Sequence, residues 1–441
     1  MRWRWLTVVI SCGLLIVTAG CSSIDIDVSR TGGSTAGSSP AEPPGTTLPL
    51  TQTPEYVASN TPCPRGLTEL GAVPLGEAAP GRSVTLTPFL ELAEPSAMVF
   101  DSDGSGSGFV GDRRGRIWRF WGGETASDAV GAAARLAAEP AADFSSNTAA
   151  EHDQGLVGMT LGPRGRLWIN RTDRTGASVL TVLTPTPDGN ALEGGPTDML
   201  RLEQPSAQHN GGALVFGPDG LLYVSFGDGG GLGDPRHHGQ NVATPLGAVL
   251  RFEVDTAQSD ATDEWQLRAA GGNPDLGAGS DPRIWAYGAR NSFSMSFDSM
   301  TGDLWIADVG QQCVEEVTVL GPSEGGANLG WNAWEGSRRF VGPDVSNHRV
   351  PDLEYRHGRG LCAVIGGHVY RGSRLDWLTG RYVFTDLCGA GVFAASVNSG
   401  LVPDVIWHLG VSTPRPVGIA ADADGELYLI DIELGVFRLD G

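Results

Sequence analysis

Leu214-Val215-Phe216-Gly217-Pro218-Asp219-Gly220-Leu221-Leu222-Tyr223-Val224-Ser225-Phe226 reads as a complete β-hairpin: an apolar strand, a Pro-Asp-Gly turn and an apolar return strand with a large aromatic. Asp-Gly between apolar runs is a strong hairpin signal, because the turn needs a residue that accepts positive φ. The same pattern recurs along the chain. It appears at Val110-Gly111-Asp112 through Gly115-Arg116-Ile117-Trp118, at Gly162 through Trp168 and at Asp298 through Trp305. Further copies run from Gly380 to Phe384 and from Asp424 to Tyr428. Six such units, roughly 45 to 80 residues apart, suggest four-stranded antiparallel sheets arranged radially. Long helical periodicity is absent, and 64 Gly with 28 Pro interrupt almost every candidate helix. The predicted fold is therefore all-β, a six-bladed β-propeller whose central mouth collects loop residues. A pair of β-sandwiches is the alternative, disfavoured by the regular recurrence of one motif.

Composition narrows the function. The 441 residues carry 30 basic against 51 acidic side chains, a net charge of −21. Nucleic-acid phosphates need a basic footprint, so nucleic acid is excluded as a partner, and adsorption to anionic lipid is disfavoured. All basic residues are arginine. With no lysine, P-loops, Schiff bases and lysine nucleophiles are excluded as well.

The N-terminus reads as an address. Arg2 and Arg4 precede an apolar run from Leu6 to Val17, then Thr18-Ala19-Gly20-Cys21. That is a secretory signal, too short for a membrane span of about 20 residues. Small residues directly before a cysteine resemble a bacterial lipobox, which predicts residues 1–21 as a lipoprotein signal with Cys21 lipidated. An ordinary signal peptide with an incidental cysteine is the alternative, and Thr18 departs from the usual leucine. Residues 22–61 are rich in Ser, Thr, Gly and Pro and read as a flexible tether, leaving 62–441 for the propeller. The expected location is outside the cytoplasm, on the cell envelope, with membrane contact only through the lipid.

Export implies an oxidising compartment. Cys63, Cys313, Cys362 and Cys388 remain once Cys12 and Cys21 are set aside, and four cysteines allow three connectivities. Cys362–Cys388 is favoured because segments that read as neighbouring strands flank it, which leaves Cys63–Cys313. No cysteine or histidine cluster has zinc spacing.

Three segments carry chemistry. Gln208-His209-Asn210-Gly211-Gly212 precedes one strand of the opening hairpin, and Phe226-Gly227-Asp228-Gly229-Gly230 ends its partner. Antiparallel pairing brings His209 and Asp228 to one end, where a carboxylate can fix the imidazole tautomer for a general base. A loop histidine beside a turn aspartate is the plainer alternative. Arg290-Asn291, just ahead of the Phe293–Phe297 strand, offers fixed donors to a carboxylate or a developing oxyanion, or else a surface salt bridge. Asp308-Val309-Gly310-Gln311, followed by Glu315-Glu316, has turn carbonyls and carboxylates of the kind that hold calcium. A glycosidase needs two acids flanking one bond. Glu315-Glu316 is the sole pair in view, and strand alternation points them to opposite faces.

Together these segments resemble a known family. EHDQGLVGM from Glu151, QHNGG from Gln208, FGDGGG from Phe226 and GARNSFSMSFD from Gly288 occur in that order. GDLWIADVGQ from Gly302, NLGW from Asn328 and GGHVYRG from Gly366 follow. The series resembles the soluble pyrroloquinoline-quinone (PQQ)-dependent glucose/sorbosone dehydrogenases, a family that includes bacterial aldose dehydrogenases and the propeller of hedgehog-interacting proteins. The resemblance implies a six-bladed propeller with PQQ and Ca2+ as cofactors, a sugar substrate and an external electron acceptor. By it, His209 is the base for the anomeric hydroxyl, Asp228 orients it, and Arg290 with Asn291 contacts the quinone oxygens. Asp153 and Gln208 lie at cofactor or substrate contact positions, Arg415 matches an arginine for a cofactor carboxylate, and the Gly310 and Gln311 carbonyls match Ca2+ ligands.

The departures are specific. A second cofactor arginine falls on Val417, and the cofactor lysine has no counterpart. The cofactor-covering aromatic and threonine contacts fall near Arg359 to Leu361, where the match is lost. The Gly360–Gly367 loop there is more like the hedgehog-interacting branch. Arg356, Arg359 and Arg371 are the basic residues considered as substitutes. Two functions follow as expectations: oxidation of aldoses at C1 to lactones, or a non-catalytic lipid-anchored propeller that binds a glycan or protein at the same mouth.

Overall fold

In the computed structural model of the chain, the described residues are 75–76, 82–122, 133–186, 188–256, 265–345, 347–358, 360–388, 391–396 and 405–441. The signal with Cys21, the tether, Cys63 and Arg359 lie outside the described residues. The described residues form six blades, antiparallel but for one short parallel strand on blade 5, and a separate two-stranded hairpin of Trp334–Glu335 and Arg338–Arg339; blades 5 and 6 each take one strand from the N-terminal side of the chain. Blade 1 is Pro95–Phe100, Gly108–Asp112 and Arg116–Trp121, with Arg135–Leu136 and Ala142–Asp143 both paired to the third strand. Blade 2 is Leu156–Leu161, Leu167–Thr172, Ser178–Pro185 and Leu192–Leu202. Blade 3 is Leu214–Phe216, Leu222–Phe226, Ala248–Thr256 and Trp265–Ala269, and Ile284–Tyr287 also pairs with its third strand. Blade 4 is Ser292–Phe297, Leu304–Asp308, Val314–Leu320 and Leu353–Arg356. Blade 5 is Val364–Val369, Tyr382–Asp386, Gly391–Ala395 and Ile406–Ser412, with Leu75–Gly76 added in parallel at the outer edge.

Blade 6 closes the ring. Pro416–Ala421, Leu427–Asp431 and Gly435–Asp440 come from the C-terminus, and the fourth strand, Thr85–Leu90, comes from the other end of the chain. Thr85 pairs with Asp440 and Leu90 with Val436, with a bulge between Pro88 and Leu90. Phe89 sits at that bulge and packs against Tyr428 of blade 6 at 4.6 Å and against Phe120 and Phe100 of blade 1 at 5.8 and 6.0 Å. The first strands of the blades neighbour one another around the axis, blade 6 touching blade 1.

The second strand of every blade is buried on both faces, because each blade is covered by its neighbours. This is why these strands read as continuous apolar runs rather than alternating ones. Four hairpin motifs join the first and second strands, at Gly162, Gly217, Asp298 and Asp424, and Gly380 leads into the second strand of blade 5. The copy at Gly111–Trp118 is one hairpin out of phase. It joins strands two and three of blade 1, and the equivalent first turn is the Asp101–Ser107 loop.

A narrow channel runs along the axis, lined by Ala97, Gly158, Leu214, Met295, Ile365 and His368 among others. His368 Nε2 donates to the Ile419 carbonyl at 3.0 Å, and burial holds its imidazole down to about 4. A histidine kept neutral in the fold takes up a proton on unfolding, so its stabilisation is complete above about 6.5 and lost as pH falls toward 4. Wild-type stability is expected to fall across that window. His368→Gln should lose less, by up to about 3 kcal/mol, measured as denaturant midpoints at each pH. Superimposable pH profiles would remove His368 as the cause.

Candidate functional site

The second strands end at one rim of the ring in buried aspartates: Asp112, Asp308, Asp386 and Asp431, with Asp228 two residues past its strand. Three of them do the same work. Asp308 accepts from the amides of Arg290 and Asn291 at 2.9 and 2.6 Å, Asp386 from those of Cys362 and Ala363 at 3.1 Å, and Asp431 from that of Arg415 at 2.7 Å. Each carboxylate thereby pins the start of its blade's first strand to the end of its second. Blade 3 departs from the pattern. Asp228 spends its carboxylate on the side chain of His209, whose Nδ1 donates to Oδ1 at 2.7 Å. Gly230 N also donates to Oδ1 and Trp331 Nε1 to Oδ2, each at 2.8 Å. With the carboxylate as acceptor the imidazole proton is fixed on Nδ1, and Nε2 carries the lone pair. The juxtaposition expected from the hairpin is present.

Arg290 Nη2 donates to that lone pair at 2.9 Å, and Nη1 donates to the Val309 carbonyl at 2.8 Å. The guanidinium lies 5.6 Å from the Trp331 ring centre, and its Nε is buried with no hydrogen-bond partner. His209 has φ +54°, a conformation that L-residues adopt at a cost. It is held there by Asp153, whose Oδ2 accepts from His209 N at 2.7 Å and from Asn291 Nδ2 at 3.3 Å. Asn291 Oδ1 in turn accepts from Gly211 N at 3.0 Å. Asp153 is thus an anchor of the histidine loop, while Asn291 keeps a second Nδ2 hydrogen for a ligand.

These groups line a cavity of about 360 Å³ at the mouth of the channel, together with Gln208, Gly310, Gln311, Arg415 and Val417. Of the residues named from the sequence, Asp153, Gln208, His209, Arg290, Asn291, Gly310, Gln311 and Arg415 border it; Asp228 stands behind His209, and Asp308, Glu315 and Glu316 do not line it. One wall is the Cys362–Cys388 disulfide loop, the pairing favoured from the sequence. Cys313 is also disulfide-bonded, and its expected partner Cys63 lies outside the described residues.

The turn after blade 4's second strand is gripped from behind. Glu335 Oε1 accepts from the amides of Gln311, Gln312 and Cys313 at 2.9, 2.7 and 2.9 Å. In trans peptides N–H and C=O point oppositely, so the Gly310 and Gln311 carbonyls face away from Glu335. Glu315 accepts from Gly310 N at 3.3 Å and Val364 N at 2.8 Å, and pairs with His357. Burial pushes Glu315 up to about 7 and Asp308 up to about 6. Glu316, on the opposite face, bonds Gly336 N at 2.5 Å and is raised well above the carboxylate range by burial and by Asp308. The two adjacent glutamates do not form a glycosidase pair. Asp308 is taken up by amides rather than by a cation site.

Trp331, Glu335 and Arg113 went unassigned in the sequence reading. Trp331 lies in the NLGW string but nothing local ties it to Asp228, 103 positions away. Arg113 reads as an ordinary turn residue of blade 1. Neither Arg356 nor Arg371 borders the cavity; Arg371 is bonded to Asp298 at 2.8 Å in the turn at the opposite rim.

Comparisons with known proteins bear on the family and the fold. A family model described as glucose/sorbosone dehydrogenase matches residues 92–433. The HIPL1 protein of Arabidopsis thaliana is 34% identical over 246 residues, which cover 49% of this chain and 35% of that protein. Hedgehog-interacting protein of Homo sapiens is 28% identical over 195 residues, 43% of this chain and 25% of that protein. The chain therefore spans about a third or less of the length of these curated relatives. Among solved structures, the PQQ-bound form of an aldose sugar dehydrogenase from Streptomyces coelicolor superposes with a TM-score of 0.61 at 19% identity. That superposition covers 81% of this chain and 98% of the other, a likeness of fold.

Proposed function

The chain belongs to the glucose/sorbosone dehydrogenase family, and from that premise we propose that it is an exported sugar dehydrogenase dependent on PQQ and Ca2+. It oxidises an aldose at C1 to the lactone and passes the electrons to an external acceptor. The observation that supports this most is the line Asp228–His209–Arg290 ending in the mouth cavity. The donor set also suits an anionic quinone with a cation. Arg290, Arg415 and the free Asn291 hydrogen would meet its oxygens and a carboxylate, and the Gly310 and Gln311 carbonyls would hold Ca2+. When bound, the quinone supplies the hydride acceptor and Ca2+ the Lewis acid.

The chain's own part is proton transfer and charge placement. Asp228 keeps Nδ1 protonated, so the anomeric hydroxyl gives its proton to His209 Nε2. To do so the hydroxyl first displaces Arg290 Nη2–H from the single Nε2 lone pair, and the released Nη2–H turns to negative charge growing in the cavity. The imidazolium that the transfer forms rests against a buried carboxylate. Asp153 and Asn291 keep the histidine loop in place throughout.

Reconstitution tests the reading. Purified protein with Ca2+ and PQQ is expected to reduce a redox dye in the presence of an aldose and to lose that activity in EDTA. Dye reduction with no member of an aldose panel would count against it. Val417 in the cavity wall, where the family resemblance expects a cation, favours the second reading, a non-catalytic propeller binding a glycan or protein there. Absence of quinone binding at micromolar concentration would bring that reading forward. The lipid anchor at Cys21 and the envelope location belong to the same proposal, and a Cys21→Ser protein should appear in the soluble exported fraction.

A further inference from the structure

The chain carries a net charge of −21, yet among the described residues the charged side chains bordering the mouth cavity are Arg113, Arg290 and Arg415 against Asp153 alone, histidines aside. Arg290 is committed to His209 and Val309. Arg415 is half exposed and lies 3.6 Å from the Glu433 carboxylate, a solvent-screened pair. Arg113 is different. It projects from the turn between the second and third strands of blade 1, and its guanidinium is fastened by backbone carbonyls: Nε to Gln154 at 3.0 Å and Nη2 to His152. Gly155 makes room for it, since a Cβ there would lie 2.7 Å from Arg113 Cγ, and Gly155 has φ +138°. No carboxylate lies within ion-pairing distance of Arg113 among the described residues. Its nearest acids are engaged elsewhere, Glu94 with Arg114 and Asp153 with His209 N and Asn291 Nδ2. Burial holds the Arg113 guanidinium below its ordinary value, Glu94 opposing and Arg415 adding to the shift.

A guanidinium positioned by two carbonyls, denied a counter-ion and placed on one cavity wall with a second guanidinium is arranged for a planar anion. We infer that Arg113 and Arg415 form a carboxylate clamp in the mouth. Resting on the reading above, the clamp takes a carboxylate of PQQ, and Arg113 supplies from blade 1 the positive charge absent at Val417. The ligand class is a rigid aromatic polycarboxylate.

Binding, not turnover, tests this. Full-length protein is titrated with PQQ in Ca2+, and separately with benzene-1,3,5-tricarboxylate without metal, following intrinsic fluorescence and calorimetric heat. Arg113→Gln should weaken both ligands roughly tenfold to a hundredfold, Arg113→Lys should weaken them less, and the exposed Arg114→Gln should leave both unchanged. Added salt should weaken wild-type binding more than that of Arg113→Gln. Arg113→Gln binding both ligands as tightly as wild type would overturn the clamp, as would wild type binding neither. Arg113-dependent binding of the tricarboxylate without binding of PQQ would keep the clamp and sink the quinone. If Arg113→Gln does not fold, Arg113→Lys decides: undiminished affinity with undiminished salt sensitivity for a bidentate site would count against it.

Discussion

His209→Ala is expected to lower sugar-dependent turnover of the PQQ- and Ca2+-loaded protein by about 10²–10⁴-fold, with thermal unfolding little changed. The imidazole accepts the proton at Nε2, and no neighbour can replace it. A guanidinium offers donors and no acceptor, and Asp153 is tied to two donors. The variant leaves Asp228 buried with two of its three donors, Gly230 N and Trp331 Nε1, which should preserve the loop. PQQ affinity, read by equilibrium titration, should change far less than kcat. A variant that keeps wild-type kcat would remove His209 from the chemistry. One that loses PQQ binding in proportion to kcat would make it a binding residue instead.

Phe89→Ala is expected to cost about 3–5 kcal/mol of stability, the largest effect foreseen for a single side chain far from the mouth. Phe89 is 5% exposed and joins three rings from two blades across the seam of the ring. Its carbonyl also accepts from Ala134 N at 2.8 Å, so the same residue ties the closing strand to the outer part of blade 1. Truncation leaves a cavity between strand Thr85–Leu90 and blade 1, and the denaturant midpoint should drop accordingly. A truncation at an exposed apolar residue, Met300→Ala, serves as the comparison, with a change within about 0.5 kcal/mol. Equal midpoints for Phe89→Ala and wild type would mean that the seam is held by backbone pairing alone.

The blades were legible because Asp-Gly turns followed by an aromatic are local, and because a second strand buried on both faces is apolar throughout. The blade 1 copy lies one hairpin out of phase for the same reason: Asp103-Gly104 and Asp112 through Gly115 each pair an aspartate with a glycine, and local pattern does not rank them. His209 and Asp228 were legible as a pair since antiparallel pairing alone places them together. Trp331, Glu335 and Arg113 were not, because each acts through a contact made only when a distant loop folds over the rim. Asp308 reads as a cation ligand, but its oxygens hold two backbone amides; Asp153 borders the cavity and holds one backbone and one side-chain amide, a structural use that residue type does not carry. The closing strand left no signal at all, since its partner is 355 positions away.

That separation has a bearing on how the molecule comes into being. A ring whose latch joins Thr85 to Asp440 cannot be completed until the strand ending at Asp440 has been made. Until then strand 85–90 waits as an exposed sticky edge, and blade 6 waits with one side open. Assembly is therefore a circle drawn from one end that must meet its own starting point, with the long-range step last and slowest. For a chain whose first residues read as an export signal, we propose that this order is an advantage: it would stay threadable during translocation and lock only once strand 435–440 had crossed.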